Sequence, residues 1–229
     1  MDNLKLALLG SSLMLASSSA FAAEVSGNVA LASDYVYRGI SQTNEEATIQ
    51  GGFDVAGESG LYAGVWASNI AFDGSVEIDV YAGLSGQFSE SLEFDIGVLH
   101  YDYPNDAGPN DSSFEEIYGS LSYQDLTLGL AYSSDFFFES GNATYIYLDY
   151  SVPLPNNFGL DFHYANQSIS DNATFGTPDY AEYSLAVTWT VAEVDVSLTW
   201  YDTDLSGNEC FGDSDLCESR IVFGLSKSL

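Results

Sequence analysis

The chain has 229 residues, 46% hydrophobic and 14% aromatic, with 34 Asp and Glu against 4 Lys and Arg, a formal charge of -30. That charge excludes a nucleic-acid partner, because phosphate binding needs clustered Lys and Arg. A mean hydropathy of +0.01 is far too low for a helical membrane protein, and the aromatic content is high for a soluble domain; a barrel with apolar outer face, polar lumen and aromatic rims reconciles the two.

Residues 1–22 read as a signal peptide, with Lys5, an apolar run from Leu6 to Leu15, and Ala20-Phe21-Ala22 before Ala23. Ser17 to Ser19 interrupt the run too early for a transmembrane anchor. Removing it leaves residues 23–229 as one domain in which Arg38, Arg220 and Lys227 are the cations. No later segment reaches helical spanning length, so any crossing is by strands.

Apolar–polar alternation with period 2 then predicts strands near Val25–Arg38, Thr48–Ala56, Leu61–Ile70, Val76–Gln87, Leu92–Tyr103, Glu116–Tyr123, Leu126–Ser133, Tyr145–Val152, Phe158–Asn166, Tyr183–Val191, Val194–Tyr201 and Ile221–Leu229. The expected fold is an all-β antiparallel transmembrane barrel of about twelve strands. Connections alternate between short (Gly57–Gly60, Phe88–Ser91, Gln124–Asp125, Pro153–Asn157, Ala192–Glu193) and mostly long, with Ala71–Ser75 the brief exception. Short turns belong on the periplasmic side and long loops outside, and an even strand count puts both ends of the processed chain with the short turns. In the last strand Ile221, Phe223, Leu225 and Leu229 share one face, interrupted by Lys227.

Parity assigns the faces. Val76, Ile78, Val80, Ala82 and Leu84 oppose Glu77, Asp79, Tyr81 and Gln87, while Leu92, Phe94, Ile96 and Val98 oppose Glu93, Asp95, Tyr101 and Tyr103. Charge on the lipid face costs about 2–4 kcal/mol near the midplane, so the charged parity faces the lumen. The same argument puts Asp34, Arg38, Asp54, Asp149, Asp161, His163 and Asp195 inside; the third strand is apolar on both parities and stays undecided.

These residues are the lumen and selectivity candidates. Arg38 is expected to pair with Asp34 or Asp54, either as a constriction that binds solute carboxylates or as an ion pair offsetting like-charge repulsion. Glu77 and Asp79, near the outer end beside Tyr101 and Tyr103, are expected to draw cations into the mouth or to stand as spaced charges in water. Cys210 and Cys217 form a disulfide on this reading of an exported chain, with zinc the weaker alternative because their loop lacks histidine. Asp202, Asp204 and Asp213 partly match a calcium loop without its closing glutamate; acids bridged by loosely bound divalent cations to lipopolysaccharide phosphates are the competing expectation. No resident cofactor is expected. Neither is catalysis: no serine stands two residues after His100 or His163, where Asp102 and Ala165 occur.

The run Ser33-Asp34-Tyr35-Val36-Tyr37-Arg38-Gly39-Ile40-Ser41-Gln42-Thr43 resembles the proteobacterial TorF-type porin family, also called Gcw_chp. The likeness continues through Gln50-Gly51-Gly52-Phe53-Asp54, Ser59 to Asn69, and Gly97 with Tyr101-Asp102-Tyr103-Pro104. The resemblance implies an outer-membrane barrel of a Gram-negative bacterium that passes small hydrophilic solutes, with outer-membrane lipid, lipopolysaccharide and the barrel-assembly machinery as partners. Leu229 stands where the family prefers a terminal aromatic. The expected function is a porin-like channel for passive diffusion that prefers cations; the alternative is a non-conducting structural or surface-interaction barrel.

Overall fold

The computed structural model describes residues 23–72, 75–104, 106, 108 and 111–229; the signal-peptide reading of residues 1–22 lies outside them. The strands are β1 (Glu24–Ala32), β2 (Val36–Tyr37), β3 (Ile40–Ser41), β4 (Thr48–Ala56), β5 (Leu61–Asn69), β6 (Val76–Ser89), β7 (Leu92–Asp102), β8 (Phe114–Tyr123), β9 (Leu126–Ser133), β10 (Ala143–Leu154), β11 (Phe158–Ile169), β12 (Tyr180–Val191), β13 (Val194–Thr203) and β14 (Arg220–Ser228). Twelve of them close an antiparallel barrel in sequence order, with β1 joined to both β4 and β14. The Leu229 N–H donates to the Gly27 carbonyl at 2.8 Å, so the two ends of the described chain meet at the short-turn end.

The alternation in sequence maps onto two faces. Val29, Leu31, Ile49, Phe53, Val80, Ile96, Val98, Leu128, Leu148, Val187 and Phe223 are all exposed on the outer wall, an apolar band of the kind a transmembrane barrel turns to lipid. Aromatic side chains mark the two rims of that wall. Phe88, Tyr123, Tyr150, Phe158 and Trp189 lie at the short-turn end, and Tyr132, Tyr183 and Trp200 towards the long loops, the positions favoured at membrane–water interfaces. Phe158 and Trp189, opposite each other in register, stack at 5.5 Å. Lys227 sits at the short-turn rim, 3.0 Å from Glu193 in the β12–β13 turn, and that ammonium holds the Glu193 carboxyl below its ordinary range.

Register also settles β5, whose sequence left the faces undecided. Leu61 and Val65 are exposed outside, so Tyr62, Gly64, Trp66 and Ser68 turn inward. Tyrosines on the inner wall lie across glycines of the neighbouring strand: Tyr81 on Gly64, Tyr62 on Gly83, Tyr118 on Gly97 and Tyr147 on Gly129. Each is a directly paired cross-strand position, and a Cβ on any of the four glycines would overlap the facing ring. Glycine here makes room for a ring to lie flat against the wall instead of projecting into the lumen.

One predicted strand boundary is corrected. β1 does not run to Arg38; its ladder ends at Ala32, paired to Thr48 and Gly224, and the chain then turns into the barrel. The reason is a local hydrogen-bond network that competes with the ladder. Ser41 and Thr43 hydroxyls each donate to Asp34 Oδ1 at 2.7 Å, Tyr35 N–H donates to Thr43 Oγ1, and Gln42 N–H donates to the Tyr35 carbonyl at 2.7 Å. β2 and β3 form a two-residue hairpin with Arg38 (φ 46) and Gly39 (φ 77) at its tip, the left-handed pair a tight hairpin requires.

Candidate functional site: the barrel lumen

The inward hairpin divides the lumen into two zones. Towards the short turns, side chains are polar and solvent-accessible. Asp54 accepts from the Tyr81 hydroxyl, and Asp95 from Tyr62 at 2.6 Å, which also bonds Tyr118. Asp195 accepts from Thr190, and Glu93 from Gln87. Asp161 lines the same wall half-buried, while inward-facing Ser26 and Asn28 are exposed. Among the described residues no Lys or Arg faces this zone, so its formal charges are nearly all negative.

Towards the long loops the interior is packed. The hairpin tip rests on the paired residues Glu182 and Thr203: a Cβ on Gly39 would come within 2.6 Å of Thr203 Cγ2 and 3.1 Å of Glu182 Cβ. From that tip Arg38 reaches across. Its Nη2 donates to both carboxylate oxygens of Glu116, the third residue of β8, at 2.8 Å, and its Nη1 donates to Gln167 near the end of β11 at 2.8 Å. The guanidinium lies 4.1 Å from the Tyr145 ring, 4.8 Å from Tyr37 and 5.7 Å from Phe136, within cation–π range of all three. Tyr180 returns a hydrogen bond to the Arg38 carbonyl at 3.0 Å. The arginine side chain is 8% exposed and Glu116 3%. Starting from β1, the hairpin therefore bonds to walls most of the way round the barrel.

Around this hub the seal is aromatic. Tyr35, Ile40, Leu99, Tyr101, Tyr103, Phe114, Phe136, Phe175 and Tyr180 are buried in one cluster with Cys210 and Cys217. Tyr101 stacks on Phe114 at 4.2 Å, Tyr35 meets Trp66 edge-on at 5.5 Å, and Phe136 and Phe137 bring the β9–β10 loop onto Phe114. Cys210 and Cys217 are joined by a disulfide. Its loop and the start of β14 clamp the hairpin from above: Ser41 N–H donates to the Leu216 carbonyl at 2.9 Å, and Nη1 of Arg220, the first residue of β14, lies 3.1 Å from Asp34 and 3.2 Å from Glu45.

Several sequence expectations change accordingly. Arg38 pairs with Glu116 and not with Asp34, which is taken by Arg220, or Asp54, which lies in the lower zone; the inward turn at Ala32 carries Arg38 away from both. Glu77 and Asp79 face inward beside Tyr101 and Tyr103 as parity required, with Asp79 opposite Tyr101, yet they are 1% and 6% exposed, not charges standing in water. The hairpin and loops that cover them are the cause. Among the described residues no three acidic, imidazole or thiol groups gather as a metal centre; in the last long loop Asp204 accepts from Ala181 N–H and Asp202 from Thr203 N–H.

His100 stays on the outer face with Glu115 at 3.1 Å. His163 bridges the zones, its Nδ1 2.5 Å from Asp149 and its Nε2 2.9 Å from the Tyr145 hydroxyl, which donates to Glu182. This chain has the outline of a carboxylate–imidazole–hydroxyl relay, but its hydroxyl is buried and committed to a carboxylate, which suits structural linkage better than nucleophilic attack. Sequence reasoning missed Glu116, Gln167, Tyr145 and Glu182. Inward parity was the available signal, and it marks every second residue without saying which one meets Arg38.

A family model described as a bacterial protein of unknown function (Gcw_chp) matches residues 16–229. No curated protein matches the sequence. Among solved structures, the KdgM porin superposes with a TM-score of 0.56 at 9% identity, covering 89% of this chain and 99% of the porin. The NanC porin does so with 0.53 at 11% identity, over 89% and 98%. At such identities the likeness establishes the shared twelve-stranded barrel fold.

Proposed function

The chain belongs to the Gcw_chp family, and from that membership and the barrel's geometry we propose that it is a porin-like channel of the Gram-negative outer membrane, reached after export and signal-peptide cleavage, that passes small hydrophilic solutes and prefers cations. The short-turn end faces the periplasm and the long loops face outward, against lipopolysaccharide. The observation that carries the reading is the division of the lumen at Arg38: an open, acid-lined vestibule below and a packed layer above. Carboxylates without neighbouring Lys or Arg raise the local concentration of cations and lower that of anions, and passage requires the 33–47 hairpin to give way. No catalytic role is proposed.

The packed layer favours a second reading, a barrel that never conducts and acts through its wall and loops. Planar-bilayer recording separates them. The full processed chain and a variant with residues 33–47 replaced by a short Gly-Ser link are compared under a salt gradient. A channel gives rare openings in the first, frequent ones in the second, and a reversal potential of cation-selective sign. An anion-selective sign defeats the charge argument, and no current from either protein, with heat-shifted gel mobility retained, establishes the non-conducting barrel.

A further inference from the structure

Two carboxylates in the packed layer have no cation of their own. Glu77 is 1% exposed and Asp79 6%; they are successive inward residues of β6. Tyr35 donates to Glu77 Oε1 at 2.7 Å and Tyr103 also bonds Glu77. Asp79 Oδ1 is buried with no hydrogen-bond partner among the described residues, although buried polar atoms are satisfied in the great majority of cases. Neither nearby guanidinium is free to compensate: Arg38 is spent bidentately on Glu116, and Arg220 on Asp34 and Glu45. Glu77 and Glu116 are the charges that bear on Asp79 most strongly. Burying neighbouring carboxylates without a counter-charge is costly, and oxygen ligands with two formal charges suit a hard divalent ion.

We propose that Glu77 and Asp79 together bind a divalent cation of the calcium class inside the barrel, beneath the hairpin, and that this ion locks the packed layer. The Asp79 Oδ1 atom and a Glu77 oxygen supply the charge, with water and tyrosine hydroxyl oxygens completing the shell. Two carboxylates are fewer than a high-affinity calcium cage provides, so binding falls in the range of about 0.1–1 mM typical of weak extracellular sites.

The test uses the full processed chain in detergent, with thermal unfolding and calorimetric calcium titration as readouts, both independent of whether the barrel conducts. Calcium added to chelator-treated protein is expected to raise the melting temperature saturably, by about 5–10 °C at a hundred times Kd. Asp79→Asn is expected to abolish that shift and to melt higher than the native chain in chelator, because it removes the uncompensated charge. A companion variant, Asp202→Asn with Asp204→Asn, should keep the shift, excluding loop acids as its source. The proposal is overturned by a native chain that melts alike in chelator and calcium, by an Asp79→Asn protein that retains the shift, or by stabilisation that follows acidification and not calcium, which would put a proton on Asp79 instead.

Discussion

Replacing Arg38 with Met should loosen the packed layer without opening the barrel wall. The substitution keeps apolar volume against Tyr37, Tyr145 and Phe136 but removes both bonds to Glu116 and the one to Gln167. Glu116, 3% exposed, is left as an uncompensated buried charge, and breaking a buried pair in this way costs about 3–5 kcal/mol. None of that falls on the strand ladders, since Arg38 lies on the hairpin and pairs with no barrel strand. At about 1.4 kcal/mol per tenfold, states with the hairpin displaced should rise roughly 100- to 4000-fold. Hydrogen exchange of residues 33–47 and channel-opening frequency read this directly, while heat-shifted mobility reports the wall. Arg38→Met combined with Glu116→Leu should recover much of the loss, because the stranded charge is gone. Unchanged exchange and opening in the single variant would refute the idea that Arg38 latches the hairpin.

Other outcomes follow from the same geometry. Gly129→Ala, opposite Tyr147, should force that ring off the wall, lowering stability by about 1–3 kcal/mol and narrowing the vestibule; an unchanged denaturation midpoint and conductance would show that the ring has room to move. Cys210→Ser with Cys217→Ser should cost about 2–3 kcal/mol for so short a loop and expose the Ser41–Leu216 contact to exchange, whereas equal melting of the two proteins would leave the disulfide without a clamping role. Converting Asp54, Asp95 and Asp149 together to Asn should shift the reversal potential towards zero in the hairpin-shortened channel, and retention of full cation preference would locate selectivity elsewhere.

The barrel is written in the alternation. A strand with lipid on one side and water on the other must alternate, so twelve alternating stretches, their turn lengths and the inward parity of Asp54, Asp95, Asp149 and His163 were all legible. Even the undecided β5 needed only its neighbour's register, Trp66 opposite Asp79. What alternation cannot carry is the path of a segment that leaves the wall. Residues 33–38 read as more of β1, yet the Asp34, Ser41 and Thr43 network turns them inward. Where the tip then lands depends on residues 129 positions away and more, Gln167 and Tyr180 among them. That Arg38 meets Glu116 and not Asp34 or Asp54, and that Glu77 and Asp79 lie buried, emerges from the closed barrel alone, because which of many inward groups meet across a lumen is set by closure and not by local pattern.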